Sequence, residues 1–479
     1  MKSKLQLLFK EHNITGLSFD SRSVKPGDAF FAIVGEHVNG NNYIQQAFNA
    51  GAQVVITDEP RQLQDRRMVC VDDARVALSC AAGIFYPKIQ EHLIAVTGTN
   101  GKTSVVAYIR QLFGLLGQRS ASIGTLGIEL NAEINNNINN TKGLTTVDIL
   151  TFRKTLNDLA SNNINHVAFE ASSHGLQQKR IYGIPVIAAG FTSFSQDHLD
   201  YHLTMDEYLE AKLKLFTENL LPNGIAVINA DIVNIDFIKS YLNERKIQVI
   251  TVGTSGDVRI INANSTVNGQ LIEFSYLGER YNIYTEVIGS FQGINLLIAA
   301  ILVHKSGFVF ADIVEKLPLI RAVRGRLERV TDKNHPFHIF VDYAHTPDAL
   351  ANSLLELKKL VAGSGKLKVI FGCGGNRDQL KRPIMGKLAA EIADVVIITD
   401  DNPRDEDPTA IRQAILVEAK SAIEIPDRKH AIVDTVKGLQ AEDILLIAGK
   451  GHENYQIIGT IVIAMDDVEI ARQALGLKV

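Results

Sequence analysis

Cysteine is scarce: the 479 residues hold three, Cys70, Cys80 and Cys373, with neither metal-ligand spacing nor a paired framework. That scarcity excludes disulfide-stapled scaffolds and zinc-finger modules and suits a reducing compartment. An excess of one charge is lacking too. Lys and Arg number 49 against 53 Asp and Glu, a net charge of −4, so no strong overall field draws in nucleic acid or an anionic membrane. Long hydrophobic runs are missing; the longest, 296–303, is under half of the ~20 residues that span a bilayer. Residues 1–13 hold only a short apolar stretch, broken by Lys10 and Glu11, which is no signal-peptide core. There is no internal repeat. The expectation is a soluble cytoplasmic monomer with neither nucleic acid nor membrane as partner.

What is present is apolar material: 46% of the residues are hydrophobic and 21% charged, enough for about three domains at ~150 residues each. Strand-like runs at 29–34, 54–57, 93–97, 166–169, 225–229, 368–371, 395–399 and 444–448 alternate with helix-length segments. That rhythm predicts an α/β fold with largely parallel sheets. Many of these runs end in Gly, Asp, Asn or Glu, where open parallel sheets gather ligand-binding loops. Composition breaks near 89 and 321 suggest domains 1–88, 89–320 and 321–479. A Thr-, Ser- and Asn-rich meander at 248–285 reads as an antiparallel insertion, and the Asn-rich tract 131–140 as a mobile surface loop.

The clearest chemistry lies at 93–110. An apolar strand runs into Gly98, Thr99, Asn100, Gly101, Lys102 and Thr103, and then into a helix that begins with Ser104. Glycines let backbone N–H groups close around phosphate oxygens; Lys102 adds charge near the β- and γ-phosphates, and Thr103 offers a hydroxyl to Mg²⁺. The first glycine of the general phosphate-loop pattern would fall at Val96, so the match to that pattern is incomplete. Further along, Glu170 and His174, then Asp197, His198 and His202, then Lys212 form polar clusters of the kind a hard cation and a nucleotide gather.

Nine strings in fixed order, VTGTNGKTS (96–104), EASSHGLQQKR (170–180), FTSFSQDHLDYH (191–202), YLEAKLKLF (208–216), RGRLERV (324–330), VDYAHTPDAL (341–350), GCGGNRDQLKRPIMG (372–386), DDNPRDEDP (400–408) and AGKGHENYQ (448–456), closely resemble the ATP-dependent Mur ligases. With DSRSVKPGDAFFAIVG (20–35), the resemblance spans almost the whole chain. It implies a three-domain α/β architecture: a UDP-substrate-binding N-terminal domain, a central ATP-binding P-loop domain and a Rossmann-like C-terminal domain that takes the incoming amino acid. It implies Phe19, Ser21, Glu36, His37 and Val38 near the uridine nucleotide, and Thr145, Thr146, Ser172, Gln178 and Arg180 around the muramoyl dipeptide. Asn295 joins the loop 98–104 at ATP. Lys102, Lys212, His198 and Glu170 become the catalytic set, with Thr103, Glu170, His198 and Lys212 (as a carbamate) toward Mg²⁺.

The activity implied is ATP-driven addition of meso-2,6-diaminopimelate to the D-glutamate of UDP-N-acetylmuramoyl-L-alanyl-D-glutamate through an acyl phosphate, a step of peptidoglycan precursor synthesis. Arg377, Asp401, Asn402, Pro403, Arg404, Gly449 and Glu453 are implied at the diaminopimelate. Its distal end needs cations for a carboxylate and an anion for an ammonium, which Arg404, Arg377 and Glu453 supply. His345 reads equally as a general base and as a structural or phosphate-facing histidine. The chain departs from the family pattern at Asn39-Gly-Asn-Asn42, at Gln292 and within INADI (228–232). Competing readings are a lysine-adding or folylpolyglutamate-type relative, a P-loop switch or motor, and a dinucleotide-binding module built on GCGGNRD.

Overall fold

The computed structural model describes residues 1–36, 38–59, 65–133, 145–199 and 201–477. His37 and residues 134–140 of the Asn-rich tract expected to be a mobile loop lie outside them. The chain forms two compact units, each discontinuous in sequence: Met1–Thr97, Gly117–Ala189 and Glu210–Gly224 in the first, and Gly98–Leu116, Gly190–Leu209 and Ile225–Val479 in the second. Among the described residues no helix is long and apolar enough to cross a membrane.

In the first unit a four-stranded sheet runs Gly16–Ser18, Asp28–Ala32, Val54–Thr57, Met68–Cys70, all neighbours parallel. Its two central strands are buried at every position, which is why they read in the sequence as unbroken apolar runs. The run at 29–34 stops at Ala32, and Val34 keeps only an isolated bridge to Asn39. Asp73 caps the helix Ala74–Phe85 by accepting from the Val76 amide at 2.9 Å. A second sheet orders His92–Thr97, His166–Glu170, Ser120–Gly124 and Gly127–Leu130, parallel except for the last strand. Its register sets Val96 opposite Glu170, so the strand before the phosphate loop and the carboxylate end side by side.

In the second unit, Ile225–Asn229 pairs in parallel with Gln248–Gly253, which pairs in parallel with the start of Val258–Thr266. This corrects the expected insertion. Only Val258–Thr266, Gly269–Tyr276 and Glu279–Thr285 are antiparallel. The helix Ile235–Glu244 between the first two strands supplies the crossover a parallel pair requires. The long apolar run falls in the helix Ser290–Lys305, buried from Leu296 to Val303, which packs against Lys102–Leu115.

A six-stranded sheet completes this unit in the order Glu328–Arg329, His338–Asp342, Ile444–Ala448, Leu367–Phe371, Val395–Ile398, Ile423–Glu424, with only the first strand antiparallel. The late strand Ile444–Ala448 is inserted between two early ones. Loops from distant parts of the chain therefore leave the same sheet edge after Asp342, Phe371, Ile398 and Ala448. Apolar clusters cover both faces. A fully buried Arg428–Asp467 pair, with Arg428 Nη2 also donating to the Ala448 carbonyl at 2.9 Å, fixes the end of the inserted strand.

Candidate active site

The phosphate loop leaves its strand at Gly98 (φ 143°) and enters the helix Lys102–Leu115 at Gly101 (φ 86°). A Cβ at Gly98 would stand 2.0 Å from Thr192 Oγ1, and one at Gly101 2.7 Å from Asn295 Oδ1, so both positions need glycine. The loop is held from the 191–202 string: Thr99 N donates to Ser193 O (2.8 Å) and Asn100 N to Ser193 Oγ (2.8 Å). Lys102 curls back, its ammonium donating to the carbonyls of Gly98 (2.8 Å) and Thr99 (2.9 Å). Asn295 donates to Gln292 Oε1 (3.1 Å), which also accepts from Tyr108; the departure at Gln292 thus sits in a buried polar cluster under the loop.

Two residues join this loop that the sequence reading left without a role. Arg326 Nη2 donates to Thr103 Oγ1 (2.9 Å) while its guanidinium stacks 4.3 Å over Tyr343. Asp348 accepts from Asn100 Nδ2 (3.3 Å) and Ser195 Oγ (3.2 Å). The basic string RGRLERV was the available signal for Arg326, but only the fold reveals which of its arginines turns to the loop. His345 Nδ1 lies 2.8 Å from the Tyr343 carbonyl, which can only accept, so Nδ1 carries the proton. Burial, reinforced by Lys381, pushes its pKa down to about 4; the ring is neutral at pH 7. His198, at φ 55°, holds Nε2 3.4 Å from Asp197 Oδ2. Burial works to raise the Asp197 pKa, but His198, His345 and Lys381 outweigh it and the net shift is downward.

In the first unit Glu170 is 2% exposed; Oε1 accepts from the Thr125 amide (2.8 Å) and Oε2 from Thr125 Oγ1 (3.2 Å), which in turn meets Thr145 Oγ1 at 3.1 Å. Thr146 Oγ1 donates to Glu170 O (3.0 Å) and accepts from the Ser172 amide (3.0 Å). Arg180 Nη1 donates to Thr146 O (2.7 Å); its Nε and Nη2 both donate to Gln178 Oε1, and Gln178 Nε2 donates to Glu36 Oε1 at 2.5 Å. Glu36, Thr145, Thr146, Ser172, Gln178 and Arg180 are thus one connected network. Beside it lies a cavity of about 740 Å³ whose walls include Phe19, Ser21, Val38, Gln178, Arg180 and Arg75. Arg75, tied to the Val34 and Gln178 carbonyls, had no role in the sequence reading. The departing stretch at 39–42 is structural, with Asn41 Oδ1 accepting from Thr57 Oγ1 at 2.6 Å.

Lys212, on the helix Met205–Lys214, is 1% exposed. An unmodified ammonium so deeply placed is expensive, and conversion to a carbamate would make it an oxygen donor. The expected Mg²⁺ ligands divide between the units, Glu170 and Lys212 in the first and Thr103 and His198 in the second. Among the described residues no three His, Cys, Asp or Glu side chains gather as ligands. Taken unit by unit, a hydroxyl at a helix start in the second and a buried carboxylate in the first are each of the oxygen-donor type a hard ion prefers.

Most of the residues expected at the diaminopimelate lie near the end of the inserted strand. Asn402 Nδ2 donates to Glu453 Oε2 (2.9 Å), and Asn402 Oδ1 accepts from the Ile457 amide (3.0 Å). Burial and Asp401 raise the Glu453 pKa. Arg404, held at φ 53°, donates from Nη1 to Gly375 O (2.7 Å). A Cβ at Gly374 would stand 2.8 Å from Arg404 Nη1 and 3.8 Å from Arg377 Cγ, so both arginines flank one bare stretch of backbone. Gly449, at φ 108°, lets Asp401 close in: a Cβ there would meet Asp401 Oδ2 at 2.8 Å. Pro403 is buried.

A phosphate loop at one strand end and a cluster of charged side chains at another are what a nucleotide-dependent ligase requires, and the comparisons make the class specific. Three family models cover the chain: "Mur ligase family, catalytic domain" over residues 13–93, "Mur ligase middle domain" over 96–303, and "Mur ligase, glutamate ligase domain" over 325–451. The chain belongs to the Mur ligase family of ATP-dependent, amide-bond-forming enzymes. It is 51% identical over 477 residues to the UDP-N-acetylmuramoyl-L-alanyl-D-glutamate–2,6-diaminopimelate ligase of Rickettsia conorii, covering 99% of this chain and 98% of that one. The enzyme of that name from Zymomonas mobilis is 44% identical, covering 97% and 96%. A solved structure of a UDP-N-acetylmuramoyl-L-alanyl-D-glutamate–2,6-diaminopimelate ligase superposes with a TM-score of 0.69 at 34% identity, covering 97% of this chain and 95% of that one.

Proposed function

We propose that this protein joins meso-2,6-diaminopimelate to the D-glutamyl carboxylate of UDP-N-acetylmuramoyl-L-alanyl-D-glutamate at the expense of ATP, acting as a cytoplasmic monomer. The observation that carries the choice of amino acid is the pairing of Arg404 and Arg377 beside Gly374 with Glu453 close to Asn402. Two cations and one anion match a substrate whose far end bears both a carboxylate and an ammonium. Residues 1–88 are assigned to the UDP substrate, 89–320 to ATP and 321–479 to diaminopimelate. The 740 Å³ cavity takes the uridine end, and the Thr145 to Arg180 network the muramoyl dipeptide.

The reaction asks the protein mainly for positioning and charge neutralisation. A glutamyl carboxylate oxygen attacks the γ-phosphorus, the bond to the β-phosphate oxygen breaks, and ADP leaves. The amine of diaminopimelate then adds to the acyl carbon of the resulting acyl phosphate, loses a proton, and expels phosphate as the amide forms. Lys102, released from the carbonyls of Gly98 and Thr99, neutralises the triphosphate, with Arg326 a second cation at Thr103. The neutral His345, with Nε2 unprotonated, is a proton acceptor of modest basicity. Thr103, Glu170, His198 and carbamylated Lys212 are the residues that would hold Mg²⁺, which when bound screens carboxylate and phosphate from each other.

Incubation with ATP, the UDP-muramoyl dipeptide and diaminopimelate should release one ADP per UDP-muramoyl tripeptide. ADP release that ignores the dipeptide and amino acid would instead identify a nucleotide hydrolase.

A further inference from the structure

Lys450 is a charged side chain for which the reaction above has no use, and it is wholly buried, at 0% exposure. Lysine is almost never fully buried unless paired, and here the pairing is specific. Its ammonium donates to Asn402 Oδ1 at 2.9 Å and to Glu453 Oε2 at 3.3 Å, and lies 5.8 Å from the Tyr455 ring. Asn402 Nδ2 closes the triangle by donating to the same Oε2 at 2.9 Å. The backbone on both sides is locked, Gly449 at φ 108° and Gly451 at φ 53°, where a Cβ would come within 2.8 Å of Gly325 O and of Tyr343 Cβ.

We propose that Lys450 is a positioning residue for diaminopimelate: its buried ammonium clamps Asn402 and Glu453 into one rigid unit and turns the second carboxylate oxygen of Glu453 toward the substrate's distal ammonium. With no accessible surface it cannot touch the amino acid and must act through its two partners. Oε2 is committed to Lys450 and Asn402, which leaves Oε1 for the ligand. Without the clamp the carboxylate keeps its site but loses its aim, and the neighbouring Asp401 carboxylate pushes it away. The inference rests on the reading of Glu453 as a diaminopimelate ligand.

The test is a double-mutant cycle on the full-length enzyme. K450M, nearly equal in volume, should raise KM for diaminopimelate by about tenfold or more, while KM for ATP and for the UDP-muramoyl dipeptide and the kcat at saturation stay within about twofold. E453Q should raise KM for diaminopimelate by itself; if it does not, the reading of Glu453 fails, whatever K450M does. In the E453Q background K450M should add less than about twofold, because the group it aims is gone. Full additivity of the two substitutions, an unchanged KM in K450M, or a parallel loss for all three substrates would overturn the proposal. Should K450M fail to fold, K450Q, which keeps one donor for Asn402, reads the same cycle.

Discussion

Arg404→Ala separates a selectivity role from a loop-shaping one. Arg404 holds φ 53°, donates to Gly375 O at 2.7 Å, and is half-buried. Alanine keeps the left-handed backbone and its strain, of order 1 kcal/mol, so that term cancels between parent and variant. What disappears inside the protein is one charge-assisted hydrogen bond, about 1.5–3 kcal/mol, read as a lowered unfolding midpoint. If this were all, the two arginine-bearing loops would loosen together and every amino-acid substrate would suffer alike. If Arg404 also meets the distal carboxylate of diaminopimelate, kcat/KM for diaminopimelate falls by a further ~2–5 kcal/mol, roughly 30-fold to several-thousand-fold. Partial exposure favours the lower end. Lysine, which lacks that carboxylate, should change by no more than about threefold, and ATP and UDP-muramoyl dipeptide should bind as before. The assay is kcat/KM for diaminopimelate and for lysine in parent and variant. An unchanged ratio would refute the reasoning and shift selectivity to Arg377 and Glu453.

Lys102→Ala should abolish nearly all ligation, measured as tripeptide formed per enzyme; Arg326 remains at Thr103, but a rate within a few-fold of the parent would show that Lys102 does not serve the triphosphate. Lys212→Ala should be close to inactive and partly rescued by formate or acetate, since a small carboxylate can replace a carbamate oxygen; a fully active variant would make this lysine an ordinary buried helix residue. His166 stacks on His92 with ring centroids 4.4 Å apart, and burial, with His92 adding, pushes its pKa from 6.5 down to about 4. Above pH 6.5 neither folded nor unfolded form is protonated there. Between 6.5 and about 4 only the unfolded chain takes the proton, so stability should fall as pH drops through that window. His166→Phe should flatten the slope of denaturation midpoint against pH, and an unchanged slope would assign the acid sensitivity elsewhere.

Much of this was legible in the sequence because parallel strands buried on both faces leave an unmistakable trace. The runs at 54–57 and 444–448 match their strands residue for residue. Met68–Cys70 and the hairpin Tyr455–Ile458 with Ile461–Ala464 went unnoticed, being short or exposed, without a buried face to imprint a pattern. The polar composition of the meander at 248–285 suggests an antiparallel insertion and hides the parallel pairing of Gln248–Gly253. At the site, glycines and charged residues at strand ends were visible one by one. Their partners were not: Lys450 meets Asn402 across 48 positions of chain because strand order decides which loops share an edge, and Arg326 meets Thr103 across more than two hundred because elements of two different sheets pack within one unit.

The measurement that tests the account most directly follows oxygen. With both D-glutamyl carboxylates of the UDP-muramoyl dipeptide labelled with ¹⁸O, a ligase working through an acyl phosphate transfers one labelled oxygen to the released phosphate for each amide bond formed with diaminopimelate. That stoichiometry is the predicted result. Phosphate that carries no label, or that appears without tripeptide, would mean that water rather than the substrate carboxylate accepts the γ-phosphoryl group, and would contradict the assignment.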